Sequence, residues 1–206
     1  MTRRQRVGLE NSATRAVLLD AAELLMQEEG YAAVTSRRIG VRAGVKPQLV
    51  HYYFRTMDDL FLALFQRRAE RGLEFAAQAA LSDTPLRALW DQSRDPTDVA
   101  MNLEFMALAN HRKTLRAAMG AFGDRLRKIQ EQSLARHFEL RGIQAQMPPG
   151  VATLVLASVG QILVLEAAIG MSNAHAETEA LVETYLSQFE AAGDALPELP
   201  AIPTRR

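Results

Sequence analysis

Apolar residues recur every three or four positions through most of the chain, which is the spacing of amphipathic helices. The first such stripe consists of Val17, Leu18, Ala21, Ala22, Leu24 and Leu25. Ser12 or Thr14 is predicted to cap this helix and Gly30 to end it. No segment shows the strict alternation of a half-buried strand, so the pattern predicts an all-α fold of about nine helices.

Two short helices are predicted next, with a tight glycine turn between them. Thr35 is a good N-cap, and Ile39 and Ala43 share a face four residues apart. Gly44 is placed where a helix ends in the left-handed conformation, which glycine adopts without steric cost. Pro47 then fits the first turn of a new helix, since its fixed φ suits that position.

The rest of the chain reads as a longer helical body. Thr56 and Asp59 form a Thr-x-x-Asp capping pattern, which predicts the start of a long helix at about residue 57. The predicted helices of the body are 57–81, 86–93, 99–110, 114–140, 149–171 and 176–192. The proline-rich residues 195–206 are predicted to form a disordered tail.

The 206-residue chain has no net charge, but its charges are unevenly distributed. Residues 1–11, predicted to be a flexible arm, carry three arginines. Between Gly30 and Met57 there are five basic residues and no acid, whereas residues 142–204 contain no lysine or arginine. A basic front half and an acidic back half indicate an anionic partner for the front.

Several functional classes are disfavoured by what the sequence contains. There is no cysteine, which excludes disulfides and thiolate metal sites and is compatible with a cytoplasmic protein. No phosphate loop, nucleophile motif or zinc-type histidine pair is present, so we predict no enzyme, metal or cofactor. The apolar run 151–165 is shorter than the roughly 20 residues of a membrane span. Gln161 interrupts it, so it is predicted to be a buried helix.

Two short helices joined by a tight turn, among basic residues, are typical of a helix-turn-helix. In that motif the second helix enters the major groove of DNA while the first crosses the phosphate backbone. Groove rims are lined by phosphates, so hydroxyl groups and basic side chains near helix starts suit such a site.

The segments "LLDAAELLMQEEGYAAVT" and "TSRRIGVRAGVKPQLVHYYFRTMDDLF" together resemble the DNA-binding domain of TetR/AcrR-type transcriptional regulators. The resemblance covers Thr14 to about Leu64 and is only architectural beyond residue 65. It implies an N-terminal three-helix helix-turn-helix domain followed by a helical ligand-binding and dimerisation domain. The implied domains are a basic arm at 1–11, a DNA-binding domain at 12–56, an effector-binding and dimerisation domain at 57–194, and the tail.

The resemblance also implies which residues meet DNA. Ser36 and Arg37 match the start of the helix that contacts phosphate, and the residues from Lys46 to Leu49 match the part of the recognition helix that faces base edges. The predicted DNA-binding residues are Thr35, Ser36, Arg37, Lys46, Pro47, Gln48, Leu49, His51, Tyr52, Tyr53 and Thr56. Val50 and Phe54, four residues apart, are predicted to be core, leaving His51, Tyr52 and Tyr53 outward.

Two positions depart from the pattern of the family. Lys46 replaces the usual serine or threonine cap, which weakens the cap but adds a cation at the DNA. Met57 replaces a common phosphate-contacting lysine, so that contact is expected to be missing, with Thr56 as a weaker substitute.

Large, adaptable apolar side chains in the body suggest a ligand pocket, because such pockets are mostly apolar with few polar anchors. The same residues are also compatible with an ordinary core, which is the favoured interpretation for any single one of them. The candidates for an effector pocket are Trp90, Met101, Phe105, Met106, Met119, Phe122, Gln161 and Glu166.

The leading hypothesis is a homodimeric repressor that binds a near-palindromic site on double-stranded DNA. The resemblance implies dimerisation through the last two long helices and release by a small apolar or amphipathic effector. The alternative is a helical small-molecule-binding or scaffolding protein whose DNA-binding domain has degenerated, which Met57 and Lys46 favour.

Overall fold

The computed structural model describes the backbone of residues 3–143 and 147–191. Every regular element in these residues is helical. Side chains are described for residues 13–143 and 147–187. The helices are α1 (Arg3–Glu29), α2 (Ser36–Ala43), α3 (Gln48–Tyr53), α4 (Met57–Ala79), α5 (Pro85–Ser93), α6 (Pro96–Ala109), α7 (Lys113–Arg141), α8 (Pro149–Ala168) and α9 (His175–Ala191). A short 3₁₀ turn, Tyr31–Ala33, follows α1. The all-α prediction is confirmed; the predicted tail, 195–206, lies outside the described residues.

The start of α1 differs from the prediction. The helix begins at Arg3, so the backbone of residues 3–11 is helical, whereas the sequence predicted a flexible arm and a cap at Ser12 or Thr14. No proline lies in this stretch, and its arginine, glutamine, glutamate and leucine residues all have good helix propensity. Charge alone was therefore a poor reason to predict an arm.

The predicted helix boundaries around the turn are confirmed by their caps. The Thr35 side chain accepts a hydrogen bond from the Arg38 N–H at 3.4 Å. Gly44 ends α2 with φ 68°. Before α4, the Thr56 N–H donates to Asp59 Oδ2 at 3.1 Å, and the Asp59 N–H donates to Thr56 Oγ1 at 3.0 Å. Pro47 is the N-cap of α3 and lies just before the helix, one position earlier than predicted.

By packing, the chain forms two compact units, each described here by itself. Unit 1 comprises residues 1–75 and 95–126, and unit 2 comprises residues 76–94 and 127–206. Helices α4 and α7 each contribute residues to both units. The predicted division after Thr56 separates a DNA-binding from an effector-binding domain, and it stays a prediction. In packing terms, the first part of α4 and α6 share one core with the front helices.

The core of unit 1 fixes the short helices α2 and α3. Ile39 of α2 and Val50 of α3 are fully buried. They lie in one cluster with Leu18, Leu25, Leu60, Leu64, Met101, Phe105 and Leu108. The ring of Phe65 contacts Phe105 and Phe122 edge to face, at centroid distances of 5.3 and 5.7 Å. Helices of eight and six residues are too short to be stable alone, so this packing is what holds them.

A partly buried cluster of charges joins α1, α4 and α6 within unit 1. The carboxylate of Glu23, 11% exposed, is paired with Arg67, Arg68 and Arg71 of α4. Arg67 also pairs with Asp20 at 2.6 Å, and Arg68 with Asp98 of α6 at 2.5 Å. Burial raises the pKa of Glu23, but hydrogen bonds from Arg68 and Arg67 and the charge of Arg71 outweigh it and lower that pKa.

The core of unit 2 is built around Trp90, which is fully buried. Its neighbours in the cluster are Leu86, Leu134, Phe138, Leu163 and Leu186. Helices α5 and α8 approach closely at Gly160, where a Cβ would lie 1.9 Å from Ser93 Oγ and 2.8 Å from Ser93 Cβ. Only glycine permits this separation of the two helices.

Helix α8 is less buried than the sequence predicted. Only Thr153, Gly160 and Leu163 are buried, and one side is an apolar stripe exposed to solvent. The stripe comprises Val151, Leu154, Val155 and Ile162, each 45–47% exposed. In the described part of the chain, α8 is the one helix long and apolar enough to cross a membrane, and 17% of its most apolar window is buried. Because the α8 sequence is apolar on all sides, it does not show which face of the helix packs against the rest of its own chain.

Candidate DNA-binding site

Helix α3 has one buried and one exposed face, as predicted. Val50 is fully buried and Phe54, at the end of the helix, is 3% exposed. Gln48, His51 and Tyr52 are exposed, with Tyr52 at 71%. The exposed face of α3 therefore offers an amide, an imidazole and a phenol to a partner.

Tyr53 is placed differently from the prediction. It is half-buried and packs against the core of unit 1, so it is not simply outward-facing. Its ring meets Tyr52 edge to face at a centroid distance of 5.0 Å. At about 100° per residue, Tyr53 lies only about 60° around the helix from the buried Val50, so it falls at the edge of the buried face.

The arginines of α2 divide into two groups. Arg38 pairs with Glu29 of α1, and both guanidinium nitrogens of Arg42 donate to Glu28 at 2.5 Å. The hydrogen bond from Arg42 lowers the pKa of the Glu28 carboxyl. Arg37 is exposed and has no acidic partner among the residues whose side chains are described. Arg38 and Arg42 therefore hold α2 to α1, and Arg37 remains available to an anion.

The other predicted DNA-binding residues surround this surface. Thr35, Lys46 and Thr56 are exposed. Ser36, Pro47 and Leu49 are half-buried. Thr56 already uses its hydroxyl oxygen as the cap of α4, so its remaining hydrogen-bonding capacity toward DNA is a donor. Contact of each of these residues with DNA stays a prediction.

Two arginines beside this surface were missed as site residues. Arg15 of α1 and Arg55, just after α3, line one surface cleft of about 550 Å³ with Tyr53, Thr56 and Asp59. We call it the Arg15 cleft. The Arg15 guanidinium lies 5.2 Å from the centroid of the Phe54 ring. Thirty-nine positions separate Arg15 from Phe54, so no local pattern signals this pair.

The predicted effector residues are divided between the two units. Met101 and Phe105 are buried in the core of unit 1, Met119 and Phe122 pack against that core, and Met106 is 58% exposed. Trp90, Gln161 and Glu166 belong to unit 2. Gln161 is exposed. Glu166 Oε2 lies 2.9 Å from Nε2 of His175. A ligand role for any of these residues stays a prediction.

A small cavity in unit 2 is lined by other residues. It has a volume of about 20 Å³, close to that of one or two waters. Its polar lining is Gln92, Gln130, Ser133 and Thr153, and its apolar lining includes Leu86 and Leu134. No lining residue is charged or aromatic. In the part of the chain that the structure describes, no group of three acidic or histidine residues is placed to hold a metal.

The segment that forms the helix-turn-helix also matches a known protein family in sequence. The profile of the family described as bacterial regulatory proteins, tetR family, matches residues 18–64, which run from α1 through α2 and α3 into α4. Residues 18–64 thus match the DNA-binding domain of the TetR family. The helix-turn-helix of the chain is therefore the DNA-binding domain of this family, and the predicted resemblance is confirmed.

Individual TetR-family relatives are similar over different lengths. The HTH-type transcriptional regulator BetI of Rhizobium meliloti (strain 1021) is 40% identical over 58 residues, which is 28% of each chain. The match thus spans little more than a quarter of that relative.

Two solved structures show the same overall fold. A TetR transcription regulator from Haloarcula marismortui superposes with a TM-score of 0.69 at 20% identity, covering 85% of this chain and 96% of that one. A proposed transcriptional regulator from Saccharomonospora viridis in complex with choline has a TM-score of 0.73 at 16% identity, covering 85% and 96%. At such identities the likeness concerns the fold alone.

Proposed function

We propose that this TetR-family protein is a cytoplasmic, homodimeric repressor that binds a near-palindromic DNA site and is released by a small-molecule effector. The observation that carries the DNA-binding part is the division of α3. Val50 and Phe54 hold the helix to the core, while Gln48 and Tyr52 are exposed beside the unpaired cation of Arg37. A helix held in this way can enter the major groove with its polar face toward the base edges.

The exposed apolar stripe on α8 supports the homodimer. Val151, Leu154, Val155 and Ile162 lie on one side of the helix, and Leu181 of α9 is 48% exposed. An apolar stripe of this length is usually covered in a soluble protein, and a second copy related by a twofold axis covers it with the same residues. Two copies also match the two half-sites of a near-palindrome.

An effector site in unit 2 is supported by two features. The indole N–H of Trp90 is buried and has no hydrogen-bond partner among the described residues. A buried donor left unpaired costs roughly 1–3 kcal/mol, so a partner such as water or a ligand is expected there. The small cavity next to Leu86 and Leu134 is in the same unit. The cavity is large enough only for water, so a larger ligand would have to widen it on binding.

The lining of this cavity favours an uncharged effector. Choline, which accompanies the S. viridis structure, is a cation, and quaternary ammonium groups are bound by aromatic rings. The cavity here offers neither aromatic nor acidic groups, only two amides and two hydroxyls. A neutral molecule with hydrogen-bonding groups is therefore the better match.

Release by an effector is a linkage between two sites. Helix α4 begins directly after the DNA-binding helices, and Ala76 and Ala79 near its end line the cavity. A ligand that binds better to one position of α4 favours that position. If DNA favours another position, each ligand weakens the other's affinity by the same factor.

The experiment that tests DNA binding is selection of bound duplexes from a random pool with the full-length protein. We expect an inverted repeat to be selected and its affinity to fall steeply between about 50 and 200 mM salt, because phosphate contacts release counterions. No selection, or binding without salt dependence, would instead favour the alternative of a small-molecule-binding or scaffolding protein with a degenerate DNA-binding domain.

A second prediction separates base reading from phosphate contact. Gln48→Ala should relax sequence preference at one base pair per half-site, by about 1–3 kcal/mol of discrimination, because an exposed glutamine amide reads adenine. Arg37→Ala should weaken binding to all sequences alike and lower the salt slope by about one per subunit. Competition binding with single-base variants of the selected site measures both effects.

Gln132→Ala on α7 is the matched control, since Gln132 is also exposed and lies outside the DNA-binding surface. Unchanged preference in the Gln48 variant would show that the reading face of α3 is assigned wrongly.

A further inference from the structure

The Arg15 cleft adjoins the end of the recognition helix and contains two cations. Arg15 and Arg55 are both exposed, and neither pairs with a carboxylate among the side chains that the structure describes. Apart from Arg37, the arginines of α2 and α4 differ in this respect, since they have acidic partners: Arg38, Arg42, Arg67, Arg68 and Arg71. Two unpaired guanidinium groups in one concave surface indicate a site for an anion.

Arg15 is held in position by an aromatic ring. Its guanidinium lies 5.2 Å from the centroid of Phe54, whose own side chain is almost fully buried in the core of unit 1. An arginine stacked on a fixed ring loses little freedom when it binds an anion, and the edge of its planar group stays available to phosphate oxygens. Phe54 therefore positions a cation as well as filling the core.

The net charge of the cleft is positive. Asp59 also lines it, but Asp59 Oδ2 accepts the N–H of Thr56 at 3.1 Å as part of the cap of α4. Two arginines against one carboxylate leave a charge of +1. The hydroxyl of Thr56 adds a neutral group able to donate to an anion.

Met57 explains why an anion site is needed at this place. Its side chain is half-buried against the core of unit 1, so it offers DNA no cation. Arg55, two residues earlier, is exposed and lies in the cleft with Arg15. A phosphate contact missing at position 57 is thus available from Arg55, in the turn between α3 and α4, and from Arg15 of α1.

We propose that the Arg15 cleft binds one phosphate of the DNA backbone, held between Arg15 and Arg55. This site rests on the proposed DNA-binding function and adds to it a contact that carries no sequence information. It orients α1 and the end of α3 on the groove rim, so that Gln48 meets the same base in every bound complex.

The test is the salt dependence of binding of the full-length protein to the selected inverted repeat. Arg15→Ala combined with Arg55→Ala should lower the slope of log affinity against log salt by about one per subunit. Each single variant should lower the slope by part of that amount and weaken binding at about 50 mM salt roughly tenfold. Sequence preference should stay unchanged, because phosphate contacts do not read bases. Arg15→Lys should keep the slope, because it keeps the charge.

Arg125→Ala, which removes an exposed arginine of α7, is the matched control and should keep the wild-type slope. Thermal melting of each variant shows whether it is folded, and Arg15→Gln or Arg55→Gln replaces an alanine variant that is not. If wild-type protein binds with salt dependence and neither arginine variant changes the slope, the phosphate site is wrong. A slope change in one variant alone also overturns the two-arginine site. Absence of wild-type binding contradicts the proposed function instead.

Discussion

Replacing Glu23 by alanine is expected to destabilise unit 1 by about 2–4 kcal/mol, because it leaves three arginines facing a partly buried gap. Glu23 is the shared partner of Arg67, Arg68 and Arg71. Arg67 and Arg68 keep second partners in Asp20 and Asp98, which limits the loss. Urea unfolding of the variant and wild type measures the difference.

The control is Glu70→Ala on α4, which removes an exposed carboxylate and should change the free energy of unfolding by less than about 0.5 kcal/mol. If both substitutions change the free energy of unfolding equally, the ion pairs of Glu23 stabilise the fold no more than any surface carboxylate does.

The contribution of Glu23 should also depend on pH with a definite sign. Its pKa is lowered in the folded protein despite burial, since the hydrogen bonds from Arg68 and Arg67 favour the carboxylate. The stabilisation is therefore complete above the ordinary pKa of glutamate, about 4.3. It is lost as the pH falls through the lower folded value. The difference between wild type and Glu23→Gln should accordingly shrink below about pH 4.

Gly160→Ala is expected to destabilise unit 2 by about 2–3 kcal/mol, because the added methyl group overlaps Ser93. Rotation of the serine hydroxyl does not relieve the overlap, since Ser93 Cβ itself would lie 2.8 Å away. Ser93 Oγ also donates to the Trp90 carbonyl at 2.8 Å, so a shift disturbs the turn next to the buried indole. Thermal unfolding with a unit 2 probe, such as Trp90 fluorescence, measures the effect.

Gly120→Ala on α7 is the matched control. A Cβ there meets nothing within 4 Å, so this substitution should be neutral or stabilise by up to about 1 kcal/mol. Ser93→Gly combined with Gly160→Ala removes the overlapping atoms. The double variant should then lose less stability than the sum of the single changes. Strict additivity would show that the contact between the two residues is not the cause.

Features that depend on neighbouring residues were predicted well from the sequence. The cap at Thr35, the left-handed Gly44 and the reciprocal Thr56–Asp59 bonds all form between residues within four positions. The division of α3 into a buried Val50 and Phe54 and an exposed Tyr52 follows from spacing alone. The start of α1 was wrong because basic charge is not a helix breaker.

The candidate DNA-binding site was only partly predictable, because some of its features depend on residues that are distant in the sequence. Arg37, Lys46 and Gln48 lie within or next to the turn motif, so the sequence could propose them as DNA-binding residues. Nothing local distinguishes Arg37 from Arg38, whose partner Glu29 lies on another helix. Arg15 was missed because its ring partner is distant in the sequence. The effector candidates were chosen by residue type, which does not show that Met101 is core and Met106 exposed.

The sequence by itself determined the helical fold class, nearly all helix boundaries and the exposed face of the recognition helix, because helix formation and capping depend on residues within one or two turns. The tertiary structure alone decided which arginines are paired, which side of α8 is bare and why Gly160 must be glycine. Each of these depends on atoms brought together across tens of residues, and no periodicity in the sequence encodes such distances. The effect of a charge or a methyl group on stability depends on the atoms around it in the folded protein.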